Sequence, residues 1–420
     1  MPADLNISPH VEKIVESSEK DIDFILKNAD YIGERNQWKV LAAMRKNRVS
    51  DAHFSCSTGY GYNDLGRETL EAVYADVFKA EAALVRPQLV SGTHALAVAL
   101  FGNLRPGDTL LYVTGAPYDT LRPVIGIYEA EGSLKEYGIS YLQADLTDDG
   151  GFDYAEIAKL LKGKFVKMAA VQRSKGYAWR KSLSVAEIGE VISFIKQISP
   201  DTICMVDNCY GEFAEEKEPV EVGADMAVGS LIKNPGGGLV PAGGYIVGTL
   251  PYVKAAAARL TAPGLGFEVG ANFGLVSTFM QGLFLAPQVV ANSVRGAVLA
   301  ASVFEKQGFE VLPSPNEQRA DIVQAVKLGS SEAVLAFCRG IQAAAPVDSF
   351  VVPEAAGMPG YKHQIVMAAG TFIQGASIEL SADAPLIPPY IVYMQGGITR
   401  YHSKIGIMAA LQELYNMDLL

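Results

Sequence analysis

The sequence predicts an α/β protein: a mostly parallel sheet covered by helices on both faces, followed by a smaller α+β C-terminal domain. Three observations carry that expectation. With 420 residues the chain is too long for one compact core, so two domains are expected. Through its middle, short β-rich runs alternate with segments of helical periodicity, the pattern of parallel strands joined by crossover helices. From residue 286 the alternation gives way to a long helical stretch and then short strands. The expected division is an N-terminal helical arm over 1–60, a large domain over 61–285 and a small domain over 286–420.

Taken in order, Glu68 to Phe78 carries apolar residues at helical spacing, and the run from His94 to Phe101 reads as a second helix. Strand-like runs follow at 109–113, 167–172, 202–207, 226–232 and 244–248. Between the second and third of these, Ser184 and Glu187 have the spacing of a capping box. Ile188, Val191, Ile192 and Ile195 then continue at helical period. A long helix is expected over 286–307, with strands at 309–311, 320–323 and 364–367.

Bulk properties narrow the function. The net charge of −11 and the lack of a Lys/Arg cluster argue against nucleic-acid binding. The four cysteines (Cys56, Cys204, Cys209, Cys338) lack CxxC spacing, which points to a reducing, cytoplasmic compartment and away from a zinc or redox site. The five histidines show no metal-ligand spacing, so no metal site is expected. Residues 1–20 have no apolar core of a signal peptide. The apolar stretch Leu283 to Ser302 is interrupted by Gln288, Asn292 and Arg295, so no membrane span is expected.

Chemistry concentrates at the ends of the strand-like runs. Lys233 ends one such run and is followed at once by Asn234-Pro-Gly-Gly-Gly238. Incomplete solvation there is expected to lower its pKa and free the amine as a nucleophile. The preceding run ends in Asp207, a carboxylate facing the crevice where open α/β sheets bind ligands. The turn Val90-Ser91-Gly92-Thr93-His94 opens a helix, and its free N–H groups and dipole suit a phosphate, although an ordinary N-cap gives the same pattern. Tyr118 follows another strand-like run, where its ring could stack on a flat cofactor. Ser230 stands three residues before Lys233 and could add a phosphate contact. Each has a plainer reading (a solvated lysine, a surface tyrosine). Their common position at strand ends favours one site for a cofactor such as pyridoxal phosphate, which needs an amine for a Schiff base and an acid for its pyridine nitrogen.

In this order, Ser-Gly-Thr, Tyr118, Val206-Asp-Asn208 and Ser-x-x-Lys233 resemble the aspartate-aminotransferase-like, fold type I enzymes that use pyridoxal phosphate. Within them the chain is similar to the Cys/Met metabolism group. More narrowly it resembles the methionine gamma-lyase-related aluminium resistance protein family. The segments that carry this are Arg86-Pro-Gln-Leu-Val-Ser-Gly-Thr-His94, Gln172-Arg-Ser-Lys-Gly-Tyr177, Asn234-Pro-Gly-Gly-Gly238 and Gly370-Thr-Phe-Ile-Gln-Gly-Ala-Ser377.

The resemblance implies Lys233 as the Schiff-base lysine, Asp207 as the partner of the pyridine nitrogen and Tyr118 as the stacking ring. Ser91, Gly92, Thr93 and Ser230 would hold the phosphate, Arg400 the substrate carboxylate, and Arg173 would be a second substrate-binding residue. Tyr60, Tyr62 and Arg67 lie where lyases place a Tyr-x-Arg pair reaching a neighbouring subunit's phosphate, though the spacing here differs. Ile232 stands where lyases commonly have a hydroxyl residue. The implied activity is a carbon–sulfur lyase acting on cystathionine, cysteine or methionine by β- or γ-elimination, in a homodimer or homotetramer with shared sites. Transamination, aldol cleavage and γ-replacement stay open, because they use the same ring-binding residues. A nucleotide-binding protein without pyridoxal phosphate is the outlying alternative, since no Gly-x-Gly-x-x-Gly follows a strand and no Walker motif is present.

Overall fold

A computed structural model describes residues 5–358 and 361–420. Among the described residues, twelve strands form two sheets. The first contains β1 (Ala82–Arg86), β2 (Thr109–Tyr112), β3 (Ser140–Gln143), β4 (Met168–Gln172), β5 (Ile203–Asp207), β6 (Met226–Ser230) and β7 (Gly244–Gly248). Its order is β1-β7-β6-β5-β4-β2-β3, and β7 runs against both of its neighbours while the other pairings are parallel. The inner strands are buried throughout because helices cover both faces, which explains their continuous apolar character. The second sheet is antiparallel. It contains β8 (Glu310–Leu312), β9 (Val323–Lys327), β10 (Ile365–Ala368), β11 (Ser381–Pro385) and β12 (Ile391–Gln395), in the order β10-β11-β12-β9-β8. This is the α/β architecture expected, with its smaller C-terminal α+β part.

The local signals behave unevenly. Ser184 and Glu187 close the capping box of the helix Val185–Ile198, as their spacing predicts. Strands β1, β3, β11 and β12 are not among the expected ones; β3 is a half-buried edge strand without a strong alternation, whereas β12 (Ile-Val-Tyr-Met-Gln) has strong β propensity. The strand expected at 320–323 begins instead at Val323. Strand β11, Ser-Ala-Asp-Ala-Pro, has no β-branched or aromatic residue and exists because β10 and β12 pair with it on both sides.

The long helix runs Val276–Lys306, starting ten residues before the expected position, and residues 285 and 286 lie within it. Pro287 stands inside it. By length and composition this helix is apolar enough to cross a membrane, yet 72% of its most apolar stretch is buried inside the fold. It packs against the helices Pro9–Asp21, Asp23–Lys46 and Arg400–Asn416, which explains both its hydropathy and its isolated polar residues. The N-terminal arm contains the two helices Pro9–Asp21 and Asp23–Lys46. Helix Asp23–Lys46 leaves Phe24, Tyr31 and Trp38 exposed.

Candidate active site

The carboxyl ends of β4, β5 and β6 face β10, β11 and β12 across a cavity of about 340 Å³. Parallel strands with their carboxyl ends at one edge, closed by a second sheet, make the crevice in which open α/β folds bind ligands. Ser91, Gly92, Thr93, Tyr118, Asp207, Ser230 and Lys233 all line it. The sheet brings together seven residues spread over more than a hundred positions.

Each is placed by its local chemistry. Ser91 caps the helix Gly92–Asn103, its side chain accepting the His94 N–H at 3.1 Å. The first N–H groups of that helix have no intrahelical acceptors and open toward the cavity end. Gly92 allows this approach: a Cβ there would stand 3.2 Å from Cβ of Ser230. The Thr93 hydroxyl is 2.6 Å from that of Thr120, a further lining residue. The Ser230 hydroxyl is buried and has no hydrogen-bond partner. A buried hydroxyl without a partner, beside a helix N-terminus, suits a phosphate oxygen.

Asp207 ends β5 and is 8% exposed. Burial raises its pKa, with Lys233 and the Cys209 N–H (3.2 Å) opposing that rise. Such a carboxylate is stabilised by a cation brought to it, and a pyridinium nitrogen is one.

Strand β6 ends at Ser230, so Lys233 stands in the turn beyond it, capping the short helix Asn234–Gly236. Its ammonium is 4.0 Å from the centre of the Tyr210 ring. The structure corrects the expected direction of its pKa. Burial alone favours the neutral amine. Cys209, Tyr210, Asp207 and Glu212 around it outweigh burial and hold the ammonium above the ordinary lysine range. Asn234 locks the turn against the loop after β5, donating to the Tyr210 and Glu212 carbonyls, both at 2.9 Å. Gly237 sits at φ +56°, and a Cβ there would lie 2.4 Å from the Gly282 carbonyl. Only glycine fits that close approach.

Tyr118 is half-buried, with its hydroxyl 2.7 Å from that of Tyr361. Burial pushes its phenol well above the usual range. Ile232 lines the cavity through an apolar side chain, so no hydroxyl is supplied at that position.

Five expected site residues lie elsewhere in the single chain. Arg173 directly follows Gln172, which lines the cavity, and strand alternation carries Arg173 away from it. It is fully buried, donating to Asn208 (2.8 Å) and Glu215 (2.7 Å), with Glu218 at 3.8 Å. It braces the loop after Asp207 rather than meeting substrate. Arg400 begins the last helix at the surface, 3.0 Å from the Tyr401 hydroxyl. Gly396 and Gly397 turn the chain outward (φ 76° and 130°), so Gln395 faces the cavity and Arg400 does not. Arg67 is buried and donates to the carbonyls of Gly61 (2.5 Å) and Gly270 (2.9 Å). Tyr60 and Tyr62 stack on one another, 5.4 Å between centroids, and are 71% and 57% exposed.

The second wall was not foreseen. Met367, Ser377, Asp383 and Gln395 reach the cavity from the five-stranded sheet and its loops. The Ser377 hydroxyl is buried without a partner. Asp383 is a second acid, pushed up to about 6 by burial, which the Tyr177 hydroxyl partly offsets. The sequence signal available was one acid inside a short segment of small residues, which also reads as a turn.

Comparison with known proteins follows the same lines. Residues 11–415 match the methionine gamma-lyase family. A solved structure from Clostridium novyi NT, described as a carbon-sulfur lyase involved in aluminum resistance, is 51% identical with a TM-score of 0.94, covering 98% of this chain and 97% of that one. YnbB, an uncharacterized protein of Bacillus subtilis (strain 168), is 52% identical over 412 residues, 98% of each chain. The pyridoxal-5'-phosphate dependent protein YhfS from Escherichia coli is 16% identical with a TM-score of 0.62, covering 91% of this chain and 96% of that one, and shares the fold.

Proposed function

The chain belongs to the methionine gamma-lyase family, and from that premise we propose that it is a pyridoxal-phosphate-dependent carbon–sulfur lyase acting on a sulfur-containing amino acid. The observation that carries this reading is the convergence on one cavity of Lys233, Asp207, the unpartnered Ser230 hydroxyl and the helix N-terminus at Gly92. That donor set fits the cofactor: an amine, an acid for a ring nitrogen, and N–H and O–H groups for a phosphate. The description of the Clostridium novyi NT relative as a carbon-sulfur lyase supports it.

When bound, pyridoxal phosphate supplies an electron sink for the pair left at the substrate Cα. The remaining work belongs to side chains. Lys233 Nζ would hold the cofactor and, as a free amine, would take the proton from the substrate Cα. Asp207 would hold the ring nitrogen positively charged, strengthening that sink. Ser91, Gly92, Thr93 and Ser230 would hold the phosphate. Tyr118, linked to Tyr361 through their hydroxyls, would lie against the ring and give a proton to the departing sulfur. A substrate carboxylate in this cavity meets the neutral donors Ser377 and Gln395, since Arg400 lies outside.

Overall, the substrate and one water give a thiol, ammonia and a 2-oxo acid. Tyr60 and Tyr62, exposed and stacked, are proposed to complete the site of a second copy, as in dimers and tetramers with shared sites. The test is a screen of cystathionine, cysteine and methionine with the cofactor-loaded protein, measuring all three products. Equimolar thiol, ammonia and 2-oxo acid are expected. A 2-oxo acid without thiol would mean transamination and overturn the lyase reading.

A further inference from the structure

Asp383 is the cavity acid that the elimination does not use. It lies on β11, opposite Met367 of β10 and Tyr393 of β12. Its Oδ2 accepts from the Tyr177 hydroxyl at 3.0 Å. Its Oδ1 makes no hydrogen bond of good geometry, and the Gln395 side chain is the donor beside the carboxylate. Two rings line this end of the cavity, Tyr118 and Tyr361, with centroids 6.1 Å apart, and Tyr177 packs against both at 6.0 Å. Tyr393 fixes Tyr177 by donating to its carbonyl at 2.6 Å.

A buried carboxylate oxygen without a partner is costly unless a donor or cation arrives. Aromatic rings beside it add attraction for the same kind of group. Among the described residues lining the cavity, Lys233 is the cationic side chain, and the proposed reaction already uses it. A negatively charged substituent reaching this wall would meet Asp383 with no arginine to compensate. An uncharged alkyl group would leave the buried carboxylate without a cation.

We propose that Asp383, oriented by Tyr177 and flanked by Tyr118 and Tyr361, is a specificity site for a positively charged amino group carried on the far side of the substrate sulfur. The substrate class is then amino acids bearing an S-aminoalkyl substituent, an inference that rests on the lyase reading above. Asp383 reads the leaving group and takes no part in bond cleavage.

The test uses two probes of equal size, S-(2-aminoethyl)-L-cysteine and S-propyl-L-cysteine, mixed with cofactor-loaded protein. Affinity is read from the cofactor's absorbance change in stopped flow, before turnover, and thiol release is followed separately. The wild-type protein should bind the aminoethyl probe about tenfold tighter or more. Asp383→Asn should abolish that preference while leaving the propyl affinity within about twofold, and Asp383→Glu, which keeps the charge, should retain it. Equal wild-type affinities, binding of neither probe, or a preference that survives Asp383→Asn would overturn the proposal. The wild-type comparison decides the matter even if a variant misfolds. Preferred binding of the aminoethyl probe without thiol release would instead remove the lyase reading and leave the amino-group site standing.

Discussion

The two walls of the cavity carry different kinds of information. On the seven-stranded sheet, Asp207 and Ser230 end neighbouring strands, Lys233 follows in the next turn, and Gly92 opens a helix against Ser230. Each sits in a local motif whose chemistry is plain from its neighbours. On the five-stranded sheet, Asp383 comes from a strand with little propensity of its own, brought in by pairing across the sheet, and Gln395 ends the buried run Ile391–Gln395 with no local motif around it. The first wall has the groups to hold a cofactor; in the proposed function the second meets what the cofactor acts on. One kind of function is therefore legible in short segments, and the other only in tertiary structure.

Changes to the first wall should be the most damaging. Asp207→Asn removes the charge that a ring nitrogen needs, and kcat should fall about 100-fold with the fold intact. A fall of less than about threefold would break the assignment of this wall to the cofactor. Arg173 supports the same wall from behind, so Arg173→Ala should act on stability. Leaving Glu215 and Glu218 without their cation should cost about 3 kcal/mol, read from the urea midpoint. A normal midpoint with a raised KM would return Arg173 to the substrate.

The second wall should respond to pH. Asp383 is pushed up to about 6 by burial, so it is ionised above that pH and neutral below it. Tyr177, Tyr118, Tyr361, Tyr210, Tyr393 and Lys233 face it. The phenols are raised by burial and Lys233 is held charged, so none of them titrates near pH 6. The preference for the aminoethyl over the propyl probe should therefore be full above this value and fade as pH falls through it. A preference that is flat from pH 5 to 8 would separate Asp383 from recognition. The smallest effect is expected at Arg400, which is exposed and outside both walls: Arg400→Ala should change KM by about twofold or less.

What could be read in advance follows the same division. The parallel sheet was legible because its buried strands are continuous apolar runs separated by helices with proper caps, as at Ser184. Strand β11 was not, since its sequence favours no strand and its neighbours impose one. Arg173 and Arg400 show the limit for site residues. Sequence identifies a cation near a motif, but one step of strand alternation or a pair of positive-φ glycines decides which way it goes. Lys233 shows a subtler limit: its position was evident, while the sign of its pKa shift depended on Cys209, Tyr210, Asp207 and Glu212 arriving from another loop.

Lys175 sharpens that point, because it is the buried lysine whose pKa burial lowers, to about 8. A low pKa alone would make it the better nucleophile. It does not line the cavity, and its ammonium donates to the carbonyls of Leu312 (3.3 Å) and Val323 (3.2 Å). Position, not acidity, is the ground for proposing Lys233 as the cofactor lysine. The direct measurement is borohydride reduction of the cofactor-loaded protein followed by peptide mass mapping. The account predicts a stable pyridoxyl adduct on the peptide containing Lys233. An adduct on Lys175, on any other lysine, or on none would contradict it.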